Sequence, residues 1–259
     1  MSLADWLEQR KDRKRLRAIQ RHRKAIKNRY GYGDDRAKAV EFFQQLGGKE
    51  GHLGLLERFM VMIDKSIKDE DEKQQVFEIL VGFGKEVVPA VEDYIHRKDA
   101  ASVPITWPLK VLDEVCEPAE AVDVIVRALD AVGTDYVREP ERKVLLVAQL
   151  AEYDDERVVS TLIPFLRDHR DEVQLEALAA LVRRADERAR EPMLEIMVDD
   201  ETPVRVRAQI ADALQKLRWN VKGYRKKVEA ALPEGLSLDR SGRIKGRWVH
   251  APQDVEGQA

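Results

Sequence analysis

The sequence predicts an all-α chain made of about six stacked helix–turn–helix units, and three observations predict it. Leu46, Leu80, Leu112, Leu150, Leu181 and Leu214 recur at intervals of 34, 32, 38, 31 and 33 residues, each inside a segment with apolar residues at i, i+3, i+4 and i+7. Charged residues reach 36% while aromatics stop at 6%, so the core must be filled by Ala, Val, Leu and Ile under a large charged surface. Acidic clusters recur at the joints, in "KDEDE", "DHRDE" and "DDETP".

Residues 1–33 read as a basic helical arm. The stretch "QRKDRKRLRAIQRHRKAIKNRY" runs from Gln9 to Tyr30, and Gly31 and Gly33 are expected to end it. Residues 1–36 hold 12 Lys+Arg against 5 Asp+Glu, a net of +7, whereas the other 223 residues hold 33 against 43, a net of −10. A basic arm on an acidic body points outward to a partner. At about 100° per residue the arm has two faces. Leu16, Ile19, Ile26 and Tyr30 form a narrow apolar seam. Arg10, Arg13, Lys14, Arg17, Arg21 and Lys24 form a basic stripe roughly 100° wide on another side. The seam suits a protein surface, and the stripe suits water or anions. Leu3, Trp6 and Leu7 precede the stripe. The expectation is a docking element that does not stabilise the fold; the alternative is a seam that packs on the first repeat as a cap, with the charges merely solvated.

Residues 34–232 hold the repeats. First helices are read at "EFFQQL", "VFEIL", "LKVLDEV", "VLLVAQL", "LEALAAL" and "RAQIADAL". Second helices follow at "LLERFMVMIDKSI", "VVPAVEDYI", "AVDVIVRAL", "VVSTLIPFL" and "PMLEIMV", with a weaker sixth at "VKGYRKKVEAAL". Carboxylates at the joints are expected to cap the next helix and meet its positive end. Pro89 and Pro192 suit first turns, while Pro164 lies deeper and predicts a bend. Residues 233–250 read as a β-hairpin cap, with Leu236 and Leu238 alternating before the turn at Asp239–Gly242. Residues 251–259 read as a disordered tail.

The Trp-Leu-Gly-Tyr-Ala-Phe-Pro pattern of tetratricopeptide repeats is missing, and so is the Thr-Pro-Leu-His of ankyrin repeats. The stretch from Leu166 to Leu217 resembles HEAT and short HEAT-like (PBS-lyase-type) repeats. It places Asp168, Asp171 and Asp200 at joints, with Val204-Arg205 and Ala208 after the last. The resemblance extends over 34–232 and is sharpest from 139 onward. It implies a right-handed α-solenoid, an Asp–Arg ladder of Asp168, Asp171, Asp200 and Arg205 between units, and use as a docking platform.

Catalytic constellations do not emerge from the residue pattern. His22, His52, His96, His169 and His250 are scattered and none precedes Glu, so the paired His-Glu motifs of HEAT-repeat metal hydroxylases are absent. The glycines of "GYGDDR" and "LGGKEG" fit no phosphate-loop spacing. Cys116, the sole cysteine, lies at the end of an apolar helix and reads as inert. HEAT-like DNA glycosylases place aromatics and an Asp in a basic groove. Here Trp107 and Asp113 point about 240° apart on a helix, and the second helices lean acidic. HEAT-like bilin lyases have no sharp motif to compare. The expectation is a protein that is not an enzyme, needs no cofactor or metal, and acts as a scaffold for protein partners. Nucleic-acid binding through residues 10–29 is the alternative. No run approaches a membrane span, and a cytoplasmic location in a GC-rich bacterium fits the composition.

Overall fold

The computed structural model describes residues 3–64, 66–97 and 104–247. Among them lie 13 α-helices and one two-stranded sheet, grouped into two compact units, Met1–Ala131 and Val132–Ala259.

The first unit opens with α1 (Leu3–Ile26), followed by α2 (Gly33–Leu46) and α3 (Gly48–Leu56). A 3₁₀ turn, Glu57–Met60, extends α3. Then come α4 (Ser66–Gly82), α5 (Val88–Ile95), α6 (Thr106–Val115) and, but for its last residue, α7 (Pro118–Val132). The second unit holds α8 (Glu141–Glu152), α9 (Arg157–Leu162), α10 (Asp171–Arg184), α11 (Arg190–Met197), α12 (Val204–Lys216) and α13 (Arg225–Ala231). It ends in β1 (Leu236–Leu238) and β2 (Ile244–Gly246). These are six helical hairpins, three in each unit, in the order the leucine period predicts.

The period works because one side of each first helix must bury its aliphatic residues against neighbouring helices, which a single hairpin cannot do alone. Leu80, Leu112, Leu150, Leu181 and Leu214 are all fully buried, and Leu46 in the first hairpin is half-buried. Within the second unit α8, α10 and α12 lie side by side. Within the first, α4 packs on α6 and α3 on α5.

Glycine sets how closely the first hairpin closes. A Cβ at Gly54 would run into the Phe43 ring, and one at Gly51 would lie 2.6 Å from the Phe43 carbonyl oxygen. Gly54→Ala improves helix propensity on α3 but forces the buried ring out of place. It is expected to destabilise the protein by about 1–3 kcal/mol in urea unfolding, against the sign that propensity alone would give.

Prolines act where expected. Pro89 sits in the first turn of α5. At Pro164 the helix changes character: α9 stops at Leu162 and Ile163–Arg167 continues as 3₁₀. In the third hairpin, whose joint residues 98–103 lie outside the described residues, Trp107 packs. Its ring stacks on Phe59 at 5.5 Å with 4° between planes, while Asp113 is exposed.

The hairpin pairs Leu236 with Gly246 and Leu238 with Ile244, antiparallel. Leu236 and Ile244 are buried, and Gln215 of α12 donates from Nε2 to the Gly246 carbonyl at 3.0 Å. The strands thus cover the last repeat. The tail read over 251–259 lies outside the described residues, as does His250. No helix among the described residues is long and apolar enough to cross a membrane.

Two expectations need correction. Gly33 does not end the arm: α1 stops at Ile26, and Gly33 opens α2 after Tyr32. Joint carboxylates do not cap the helices either. "KDEDE" lies inside α4, and Arg170 and Pro203, the N-cap residues of α10 and α12, make no side-chain cap bond. In the second unit the acids instead make Asx turns that accept from the amide two residues on, as Asp168 does from Arg170 and Asp199 from Glu201.

Buried His52 gives unit one a pH dependence. Neither ring nitrogen has a hydrogen-bond partner, and the ring lies against Phe83 at 4.6 Å. Burial pushes its pKa down, and the nearby Glu86 backbone and carboxylate offset only part of this. A base with a depressed folded pKa takes up its proton more readily in the unfolded chain. Stability is therefore complete above the unfolded value near 6.5 and falls as pH drops below it. The slope is at most about 1.4 kcal/mol per pH unit for one proton. Urea midpoints at neutral pH and on the acid side of 6.5 should differ in the wild type and differ less in His52→Leu, where His22, lowered by burial and by Arg21, still contributes.

Candidate docking surface on the first helix

α1 is built from two opposed faces, and its charges divide between them. Ile19 and Ile26 are buried, and α1 packs along α2 and α3. His22 stacks on Phe42 with ring centroids 4.1 Å apart. Around this apolar line the cations are paired with the body. Arg15 meets Glu50 at 3.2 Å, Lys27 meets Glu57 at 3.2 Å, Arg23 meets Glu57 at 3.6 Å, and Arg29 meets Asp64 at 3.4 Å. The seam therefore holds at Ile19 and Ile26 but not at its ends: Leu16 is 54% and Tyr30 81% exposed. Tyr30 misses because the helix ends at Ile26, so extrapolating the wheel beyond it fails. Leu16 points about 70° around the helix from the line through Ile19 and Ile26.

Arg10, Arg13, Lys14, Arg17, Arg21 and Lys24 are all exposed. None has a carboxylate within salt-bridge distance among the described residues. Arg10 lies 5.3 Å over the Trp6 ring, Arg13 donates to the Gln9 carbonyl at 3.3 Å, and Arg21 approaches His22 Nε2 at 3.1 Å. On the wheel the stripe is centred about 180° from the line through Ile19 and Ile26 and runs about 21 Å along the axis. These like charges repel one another and leave their partners to solution. The arm is thus part of the fold on one side and free on the other. This corrects the expectation that it contributes nothing to stability.

A buried ionic network fixes where α1 ends. Arg36 of α2 donates to the carbonyls of Asn28 at 3.1 Å and Gly31 at 2.8 Å. Its guanidinium grips Glu72 of α4 with two bonds, 2.8 and 2.9 Å. Fully buried Arg58 shares Glu72 at 3.1 Å and holds Asp69 at 2.7 Å, where Lys73 adds a 2.6 Å bond. Burial pushes the Asp69 and Glu72 carboxyls up. The bonds from Lys73 and Arg58 to Asp69, and from Arg36 to Glu72 with Arg58 beside it, outweigh burial and hold both below the ordinary carboxylate range.

In the second unit the ladder residues separate. Asp168 is buried and paired, with Lys143 of α8 at 2.7 Å. Lys143 also donates to the Asp135 carbonyl at 2.6 Å. Asp171 opens α10 and is exposed. Asp200 and Arg205 are exposed as well, and no bond joins them. The ladder read at these positions is corrected on two counts. The frame was two residues off: aligned on Leu181 and Leu214, the Val173-Gln174 pair matches Val206-Arg207, and buried Val206 against Val204 at 73% exposure confirms the frame. Two residues turn a helix by about 200°, so Arg205 faces away. Gln174 also stands on α10 where α8 has Lys143, and Asp199, whose turn matches that of Asp168, meets Arg167 at 3.5 Å instead.

Sequence reasoning missed the Asx turns inside the hairpins. Asp155 accepts from the Arg157 amide at 2.9 Å, Asp186 from Arg188 at 2.9 Å, and Asn220 from Lys222 at 3.0 Å. The signal was "DER" at 155–157 and again at 186–188. Arg157 holds the Asp155 carboxyl down to about 2.

Residues 137–215 match the family model described as HEAT repeats. This segment of the chain consists of HEAT repeats. It covers α8 to α12, the part in which paired turns and buried valines repeat most regularly. No curated protein sequence matches the chain. One solved structure similar to it is human deoxyhypusine hydroxylase in complex with glycerol, at 14% identity and a TM-score of 0.31, over 83% of this chain and 88% of that one.

Among the described residues, no three His, Cys, Asp or Glu side chains are grouped to hold a metal ion. Cys116 ends α6 half-buried, and burial pushes its thiol pKa up.

Proposed function

We propose that the protein is a non-catalytic adaptor of the cytoplasm, whose HEAT repeats dock protein partners and whose first helix docks an anionic one. One observation carries the reading. On α1 and just after it, Arg15, Arg23, Lys27 and Arg29 are paired with acids of the body, whereas six cations in a continuous stripe on the opposite side of α1 are exposed without a carboxylate partner among the described residues. Charges gathered for solubility alone would be interspersed with acids, and here only Asp12 interrupts the run from Arg10 to Arg29. HEAT repeats support the first half of the proposal because stacked hairpins offer a long continuous surface for partners.

The test is co-purification. Wild-type protein and a variant with Arg10, Arg13, Lys14, Arg17, Arg21 and Lys24 all changed to Gln are captured from native lysate after nuclease treatment. The eluates are then analysed by size exclusion. The adaptor reading predicts stoichiometric complexes with discrete proteins that persist through nuclease. Chromatography of both variants as the chain alone would overturn it.

A further inference from the structure

We infer that the anionic partner of α1 is the phosphodiester backbone of a nucleic acid, bound without reading its bases; this rests on the adaptor reading above and names the occupant of its basic stripe.

The composition of the exposed face argues for that occupant. Between Arg10 and Lys24 the face carries six cations with Ala18 and Gln20 beside them, and nothing apolar larger than alanine. A protein partner gains most of its affinity from buried aromatic and aliphatic anchors, and along its length from Arg10 to Lys24 this face offers none, the exposed Trp6 ring lying only at its N-terminal end. A membrane surface needs an apolar face to insert, and on α1 the line through Ile19 and Ile26 is turned into the body. Phosphate is satisfied by cations alone: each contact releases condensed counterions and needs no apolar burial.

Spacing and placement agree. The cations fall at residues 10, 13, 14, 17, 21 and 24, one or two per helical turn over about 21 Å. Along that length a duplex presents one charge per ~1.7 Å of axis with both strands counted, so phosphates outnumber the six cations. Five of the six are exposed without any aromatic beneath them. Arg10 rests over Trp6, which is itself 40% exposed at the end of the row. An exposed ring in line with cations is what a stacked base of a single strand requires. The body does not cancel the stripe. Its acids nearest α1, Glu50, Glu57 and Asp64, already hold Arg15, Arg23, Lys27 and Arg29. They lie across a helix about 10–12 Å wide, beyond a Debye length of ~8 Å at physiological salt.

The experiment measures fluorescence anisotropy of labelled random-sequence DNA duplex and single-stranded RNA with the purified full-length protein, from low to physiological salt. Poly-glutamate and phosphatidylserine vesicles are compared at the same ionic strength. Six phosphate contacts predict log–log salt slopes of about −5 on the duplex and about −4 on the single strand, with little dependence on sequence. The six-Gln variant should lose at least about 100-fold in affinity and most of its slope. A slope near zero, or a variant that binds as well as wild type, would overturn the inference. So would tighter stripe-dependent binding of poly-glutamate or vesicles. In that case the stripe still docks an anion and the adaptor reading stands with an acidic protein or a membrane as occupant. Binding of none of the four likewise ends the inference, and co-purification then judges the adaptor reading by itself.

Discussion

Lys143→Met is expected to destabilise the second unit by about 3–5 kcal/mol. Lys143 and Asp168 are buried together, 1% exposed each, with 2.7 Å between Nζ and Oδ2. Removing the ammonium leaves a carboxylate in the interior beside the Asp135 carbonyl, which loses its donor too. The double variant with Asp168→Asn should recover most of the loss. Asparagine keeps the oxygen that accepts from the Arg170 amide at 2.9 Å while removing the buried charge. Urea unfolding of the two variants and wild type measures the difference. Equal loss in the single and double variants, both of which keep the turn, would mean that the lost donor to the Asp135 carbonyl, and not the unpaired charge, accounts for the damage.

Ile26→Ala should cost about 2–5 kcal/mol, with Ile19→Ala adding to it. Ile26 is fully buried at the end of α1, where Arg36 holds the Asn28 and Gly31 carbonyls and so prevents the chain from closing the gap. The residual cavity is consequently large for the atoms removed. A chain lacking residues 1–33 would lose this contact and the four ion pairs to Glu50, Glu57 and Asp64. Deletion is therefore a poor test of binding, and charge neutralisation on the outer face is the proper one.

Much of the fold was legible because it rests on periodicity. Five of the six aligned leucines are fully buried, the six hairpins follow their order, and the turn at Asp239–Gly242 joins two paired strands. HEAT resemblance drawn from Leu166–Leu217 falls mostly within the matched segment 137–215. What could not be read was direction. Whether Asp69 and Glu72 point to solvent or to Arg58 and Arg36 depends on helices far apart in sequence, and charge runs look alike in either case. The same ambiguity made Val204-Arg205 and Val206-Arg207 interchangeable until burial separated them. The basic stripe was legible as a stripe, since an α-helix fixes its angle. That the cations beside it would be consumed by Glu50, Glu57 and Asp64 was not. Three of those four pairs, all but Lys27–Glu57, join residues 34 or 35 apart, close to the repeat interval, and together they bind α1 and the residues just after it to the first hairpin.

If α1 serves the fold with one face and a partner with the other, the unfolding free energy of the six-Gln variant must stay close to that of wild type. Neutralising Arg10, Arg13, Lys14, Arg17, Arg21 and Lys24 should leave stability within about 0.5 kcal/mol per site of wild type, or raise it by relieving repulsion. A loss as large as that of Ile26→Ala would show that the stripe holds the fold together, and would contradict the account.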